Sequence, residues 1–505
     1  MCENITDLAR YNFAKSRFVC IFTPLKQIIM EKLIGREIEQ QKLTKNMQSE
    51  RGEFIAIYGR RRVGKTFLVR SFFKDKFAFY ATGIIEGTRE EEMEAFYNGL
   101  KEYGYEGKQP KTWMAMFSAL SELLQKKSQR TKKRLVVFID ELPCFDTKRS
   151  GFIHALDYFW NSKGAWMDNV MFVVCGSATS WMMRNLINNK GGLHNRLTHQ
   201  MHVRQFTLEE TERYLRSRRF RWSRLSILQA YMALGGVPYY LGLLEPDMQV
   251  PENLDNLFFA ENSELKGEYR RLFASLYKTP EAYMRIVETL AAHKEGYTRE
   301  EIADKLKIAN NGHLTVMLED LVSCDFLREY SDGGKQKGSI YQLMDMFTLF
   351  HYNFCRKRVT DPHFWRNLEG LPVQNTFYGL AFERVCMWHV RQIVQALRLD
   401  AVPHEYYAWR SKESNPAVQI DLIIERTDMI TLFEIKYSKD IYRLNKSEYQ
   451  KIILREQSFI SELKSKRHGV RTHIISTFGV AQGEYADAFQ CKVCLDDLFK
   501  PLYDI

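Results

Sequence analysis

Residues Gly59-Arg60-Arg61-Arg62-Val63-Gly64-Lys65-Thr66 complete the pattern GxxxxGK[ST], between the apolar run Phe54-Ile55-Ala56-Ile57-Tyr58 and a helical pattern that starts at Lys65. No other feature of the chain constrains its fold as strongly. A short unbroken apolar run reads as a buried parallel strand. A glycine-rich turn leading from that strand into a helix lets backbone amides point inward, around an anion at the positive end of the helix. The expected ligand is the triphosphate of ATP. The backbone from Gly59 to Thr66 would cradle it, Lys65 would neutralise its β- and γ-phosphates, and Thr66 would ligate Mg²⁺.

A second apolar run, Leu135 to Ile139, ends in Asp140-Glu141. An acid at the carboxyl end of a parallel strand beside the loop reaches the metal. Asp140 is expected to hold Mg²⁺ through water and Glu141 to polarise the attacking water; the alternative is two acids capping a strand. A third run, Val170 to Cys175, leads into Gly176-Ser177, where Ser177 is placed to sense the γ-phosphate. Arg196, after Gly191-Gly192-Leu193, is a candidate arginine finger, and both it and Ser177 are equally readable as structural.

The chain has 505 residues, too many for one hydrophobic core, and the usual domain size suggests about three or four domains. The pattern divides it into an N-terminal extension (1–30), a P-loop core of alternating strands and helices (31–205), a helical lid (206–278), a third module (279–358) and a C-terminal α/β unit (359–505). Met30 precedes a good helix start and is a candidate initiator; the alternative is a peripheral N-terminal helix. Thr207-x-x-Glu210 is a capping box that opens the lid, and Gly235-Gly236-Val237-Pro238 interrupts it. The third module reads as three helices and a β-hairpin. Thr298-x-x-Glu301 caps one helix, Asn310-Asn311-Gly312 makes a turn, and Phe326 to Tyr330 pairs with Ser339 to Leu343. That order is a winged helix-turn-helix. His313, Thr315 and Lys335 to Lys337 are placed to meet a DNA backbone; the alternative is a packing module, since Glu319 and Asp320 lie on the recognition helix.

The net charge of +11 favours polyanionic partners, nucleic acid among them. Basic clusters at Lys126 to Arg134 and Arg213 to Arg224 read as solvated faces. The nine cysteines lack framework spacing, which suits reduced thiols in a cytoplasmic protein, and Cys491-x-x-Cys494 reads as two buried strand cysteines. No window reaches the roughly 20 apolar residues a membrane span needs, and the best, Phe18 to Met30, is broken by Pro24, Lys26 and Gln27.

The C-terminal unit suggests a second chemistry. A helix from about Asn375 to Gln395 precedes strands at Ile420 to Glu425 and Thr431 to Ile435, which pair across a turn near Thr427-Asp428. In that hairpin Asp421 faces Glu434, and Lys436 shares Glu434's face. Two carboxylates bind Mg²⁺, Glu383 from the helix completes the shell, and Lys436 helps to activate water against a phosphodiester. The alternative is a surface hairpin with alternating charges.

Ile34-Gly35-Arg36-Glu37, the loop from Gly59 to Thr66, Ile139-Asp140-Glu141-Leu142-Pro143, Cys175-Gly176-Ser177 and Gly235-Gly236-Val237-Pro238 occur in order. Together they resemble the archaeal-type ATPases of the STAND class, a branch of the AAA-like P-loop NTPases. The resemblance covers about Glu31 to Leu244. It implies that Gly35 and Arg36 lie near the adenine, that Pro238 touches the nucleotide from a helical lid, and that a winged helix follows. It also implies an ATP-driven switch that opens or assembles when signalled, hence a nucleotide-dependent homo-oligomer. Asp421, Glu434-Ile435-Lys436 and Glu383 resemble the restriction-endonuclease-like domain often fused to such ATPases, which implies DNA or RNA as substrate.

Overall fold

The computed structural model describes residues 33–188, 193, 195–330, 339–357, 359–411, 418–463, 468–486 and 489–502. The expectations for residues 1–30, Gly191-Gly192 and Lys335 to Lys337 lie outside the described residues.

Strands β1 (Glu53–Tyr58), β2 (Phe79–Thr82), β3 (Leu135–Asp140), β4 (Val170–Gly176) and β5 (His199–His202) form a five-stranded sheet in the order β2-β3-β4-β1-β5. Every pairing is parallel. Burial on both faces explains the unbroken apolar runs. Phe54, Val137 and Phe172 pack on one side against Trp113, Phe117 and Trp160. Ile55, Phe138 and Val173 pack on the other against Leu68 and Val69 of the helix Lys65–Phe73. The order carries one surprise: β4 lies between β1 and β3, so Ser177 stands between the phosphate loop and the acids of β3.

The lid opens as expected. Thr207 Oγ1 accepts from the Glu210 amide at 3.2 Å, and Glu210 Oε2 accepts from the Thr207 amide at 2.9 Å. The helix Arg224–Leu234 stops at Gly235, whose φ is +68°, and the next helix starts at Pro238. Between them a Cβ on Gly236 would stand 2.0 Å from the carbonyl oxygen of Phe206.

The third module has helices Pro280–Ala291, Arg299–Leu306 and Gly312–Ser323, and strands β6 (Tyr297–Thr298), β7 (Leu327–Tyr330) and β8 (Ile340–Leu343). The strands form an antiparallel sheet in the order β6-β8-β7. Asp320 does not face solvent with Glu319: it is buried and accepts from the Tyr283 hydroxyl at 2.7 Å.

Strands β9 (Glu405–Arg410), β10 (Gln419–Glu425), β11 (Met429–Lys436), β12 (Gly469–Ser476) and β13 (Gln490–Val493) form a mixed sheet in the order β13-β12-β11-β10-β9. The stretch expected to be one helix from Asn375 to Gln395 is two, Pro372–Trp388 and Val390–Ala396. They break at His389, whose Nε2 accepts from the Leu208 amide of the lid at 2.9 Å. The stretch before them holds a short helix, Phe364–Asn367, with Trp365 fully buried. Cys494 is no strand residue; it caps the helix Leu495–Leu498. One apolar cluster runs from Phe206 through Phe273, Phe347 and Phe377 to Phe433, joining lid, third module and C-terminal unit. Among the described residues no helix is long and apolar enough to cross a membrane.

Candidate nucleotide site and a second acidic cleft

The phosphate loop is pressed against the end of β5. A Cβ on Gly59, φ +148°, would stand 2.1 Å from the Val203 carbonyl oxygen, so only glycine lets the loop turn there. Lys65 is buried, and its Nζ donates to the carbonyls of Gly59 (2.9 Å) and Arg60 (3.0 Å) and to Ser177 Oγ (3.0 Å). Phosphate oxygens would replace such carbonyl partners. Thr66 Oγ1 donates to Asp140 Oδ2 at 2.7 Å. A hydroxyl and a carboxylate side by side are hard oxygen donors that suit Mg²⁺. Burial, then the charge of Glu141, raises the Asp140 pKa, while the Thr66 hydrogen bond opposes this. A divalent cation would relieve the strain of that buried charge.

Glu141 sits in a left-handed conformation, φ 46°, just beyond β3. Both of its oxygens are taken by Ser177. The hydroxyl donates to Oε1 at 2.6 Å and the amide to Oε2 at 3.1 Å. Ser177 therefore bridges Lys65 and Glu141.

A cavity of roughly 800 Å³ opens over the loop, with Ile34, Phe67, Phe206, Tyr214 and Pro238 on its apolar side and Lys65, Glu141 and Ser177 on its polar side. Arg36 lines it; its guanidinium donates to the Val63 carbonyl at 2.9 Å and lies 4.7 Å from the centre of the Phe206 ring. Glu210 Oε1, from the capping box, accepts the Arg36 amide at 2.9 Å. A Cβ on Gly35 would meet that oxygen at 2.7 Å.

Not every loop residue turns toward the cavity. The motif predicts Arg60 at the nucleotide, but its side chain is buried against Asp345, 2.6 Å away. Arg62 lines the cavity while its guanidinium pairs with Glu268 and lies over Tyr239. Arg196 is exposed and does not line the cavity of its own chain. The Arg213 to Arg224 cluster is largely exposed, and several of its charges are paired. Arg213 pairs with Glu37 and Glu209, and Arg224 with Glu212 and Asp496.

The second cleft, roughly 510 Å³, is lined by Glu383, Asp421 and Glu434. Leu422 pairs with Phe433, so one further step of the same register sets Asp421 opposite Glu434. A register shift between Ile420 and Ile423 accompanies this, the kind of irregularity that re-aims a side chain. Lys436 Nζ lies 2.9 Å from Glu434 Oε1, as their shared face requires. Burial, then the charge of Asp421, holds the Glu383 carboxyl up at about 7. Sequence spacing gave no sign of Arg455. From the helix Lys446–Glu462 it donates to Glu434 Oε2 at 2.5 Å. Lys294, from the third module, also lines the cleft. As the side chains stand, no three His, Cys, Asp or Glu among the described residues are grouped to hold one metal ion.

Residues 33–244 match the model of an ATPase domain found predominantly in Archaea. An uncharacterised protein of Methanocaldococcus jannaschii is 23% identical over 438 residues, covering 83% of this chain and 91% of its own length. Among solved structures, the Walker-type ATPase of Pyrococcus abyssi is 18% identical, covers 63% of this chain and 96% of its own, and superposes with a TM-score of 0.43. The STAND protein of Pyrococcus horikoshii with a tetratricopeptide repeat sensor is 15% identical, covers 74% of this chain and 51% of its own, and has a TM-score of 0.31.

Proposed function

We propose, from the premise that residues 33–244 form an archaeal-type P-loop ATPase domain, that the chain is an ATP-hydrolysing STAND-like switch coupled to a metal-dependent nuclease. The observation that carries it is the pair of carboxylate groupings: Asp140 bonded to Thr66 next to Lys65 of the phosphate loop, and Glu383, Asp421 and Glu434 lining one cleft, with Lys436 ion-paired to Glu434. In the first, Lys65 and the loop amides bind the triphosphate, and Glu141 orients water once Ser177 releases one of its oxygens. Mg²⁺ held by Thr66 and Asp140 would supply charge neutralisation there. In the second, Asp421, Glu434 and Glu383 would hold a divalent ion, which would supply Lewis-acid polarisation to a phosphodiester of DNA or RNA. Lys436 then aligns water. The module of residues 279–358 is read as a winged helix, and nucleotide state would govern its position and the access to the second cleft. Assembly into a nucleotide-dependent homo-oligomer, with Arg196 reaching a neighbouring cavity, belongs to the same reading.

The test is a pair of variants. Lys65→Ala should abolish ATP turnover, and Lys436→Ala should abolish Mg²⁺- or Mn²⁺-dependent cleavage of plasmid or oligonucleotide. A Lys436→Ala chain that cuts as well as the parent overturns the nuclease assignment. A second reading, a nucleotide-gated nucleic-acid-binding scaffold without cleavage, is favoured by one observation. Lys436 and Arg455 already occupy both oxygens of Glu434. It predicts salt-dependent binding and intact strands in both metals.

A further inference from the structure

The phosphate loop carries three consecutive arginines, and they have separate fates. Arg60 is locked to Asp345 and Arg62 to Glu268. Arg61, between them, lines the nucleotide cavity, and among the described residues its guanidinium has no hydrogen bond or ion pair. The other guanidinium groups along that cavity are engaged. Arg36 donates to the Val63 carbonyl at 2.9 Å, Arg218 to the Leu241 carbonyl at 2.8 Å, and Arg62 is held by Glu268. With both neighbours anchored, the backbone at Arg61 is held beside the cavity, and its guanidinium stays available to a ligand there.

The Arg61 charge acts on the thiol of Cys144, in the turn that follows Glu141, where it partly opposes the upward push of burial and of Glu141 itself. The cavity that Arg61 lines also holds Lys65, Ser177 and Glu141, which converge through hydrogen bonds.

We infer that Arg61 is a catalytic residue of ATP hydrolysis, acting within its own chain on the γ-phosphoryl group. This rests on the ATPase reading above. Hydrolysis forms a bond from water oxygen to the γ-phosphorus and breaks the bond from that phosphorus to the β–γ bridging oxygen. The bridging oxygen leaves with the electron pair as ADP, and the water proton passes by way of Glu141 to the phosphate released. Negative charge spreads over the γ-phosphoryl and bridging oxygens as this happens, and a guanidinium in the cavity wall is most valuable at that moment. Arg61 supplies that charge from its own chain, beside the contribution of Arg196 from a neighbouring protomer.

The test uses the full chain, with ADP affinity and steady-state ATP turnover measured for the parent, Arg61→Ala and Arg61→Lys. Arg61→Ala should lower kcat by about 10²-fold or more while ADP binds within about threefold of the parent. Arg61→Lys should recover part of the loss. If Arg61→Ala hydrolyses ATP like the parent, the inference fails. It fails equally if both Arg61 variants lose ADP binding. A parent that hydrolyses no ATP at all removes the ATPase reading and this inference together.

Discussion

Arg60 and Asp345, 285 residues apart, form an ion pair 2.6 Å long in which neither side chain meets solvent. Burial works against the Arg60 charge, but Asp345 outweighs it and leaves the pKa above its ordinary value. The guanidinium also lies 5.0 Å from the centre of the Phe326 ring. Asp345 is the N-cap of the helix Met346–Phe350, and its second oxygen accepts from the amide and hydroxyl of Thr348. One residue earlier, the Met344 carbonyl accepts from Trp388 Nε1 at 3.1 Å, and Trp388 ends the helix that carries Glu383. The segment 344–345 therefore touches the phosphate loop on one side and the support of the second cleft on the other.

Removing either partner leaves a charge buried and unpaired, which costs about 3–5 kcal/mol. Arg60→Ala and Asp345→Ala should each lower the denaturation midpoint strongly, while Arg60→Met with Asp345→Leu should cost much less than the sum of the single changes. A double-mutant cycle in guanidinium chloride measures this. Additive losses would mean that the two side chains do not stabilise the fold as a pair.

Ser177 holds both oxygens of Glu141 and also accepts from Lys65. A hydroxyl in that position orders the base and the lysine together. Ser177→Ala should lower kcat for ATP about 10-fold or more, with ATP affinity changed far less, because the loop amides still bind the phosphates. Paired turnover and nucleotide-titration measurements separate the two effects. Unchanged kcat would show that the contact is a resting arrangement with no role in turnover.

The parallel core could be read from the chain because strands buried on both faces leave unbroken apolar runs, as at Phe54 to Tyr58 and Val170 to Cys175. Strand β5 could not: His199-Gln200-Met201-His202 forms an edge that pairs, among the described residues, with β1, and a half-covered strand leaves no such run. Register in the C-terminal hairpin followed from period-two spacing, so Asp421 opposite Glu434 was foreseeable. What spacing cannot tell is where consecutive loop side chains point, so Arg60, Arg61 and Arg62 looked alike. Arg455 reaches Glu434 across 21 residues, from a helix whose docking depends on the folded sheet.

Gly59 has no room for a side chain. Its φ of +148° and the Val203 oxygen 2.1 Å from a built Cβ leave Gly59→Ala no way to relax except by moving the loop off β5. That substitution should weaken ATP and ADP binding by about 10²-fold or more, since the amides that ring the phosphates move with the loop. The C-terminal unit should keep its fold, as seen in unchanged far-ultraviolet dichroism. Nucleotide titration by calorimetry checks it, and parental affinity in Gly59→Ala would show that the loop tolerates the displacement.

His389 gives the fold a pH dependence whose sign follows from its contacts. Its Nδ1 lies 2.8 Å from the Val385 carbonyl, and its Nε2 accepts from the Leu208 amide, so the ring must be neutral, with its proton on Nδ1. Burial holds its pKa down to about 4 against an ordinary value of 6.5, the Val385 contact opposing only in part. Between those values the unfolded chain takes up a proton that the folded chain refuses. The stability from this residue is therefore complete above about pH 6.5 and falls as the pH drops toward about 4, by roughly 3 kcal/mol at the limit. Because His389 ties the lid to the helix bearing Glu383, loss of that contact should loosen both modules together. Denaturation midpoints of the parent should fall more steeply from pH 7 to pH 4.5 than those of His389→Gln, whose amide does not titrate and can still accept from Leu208. Parallel pH profiles for the two chains would show that His389 titrates in the folded state as it does in the unfolded one, and the lid would then need another anchor.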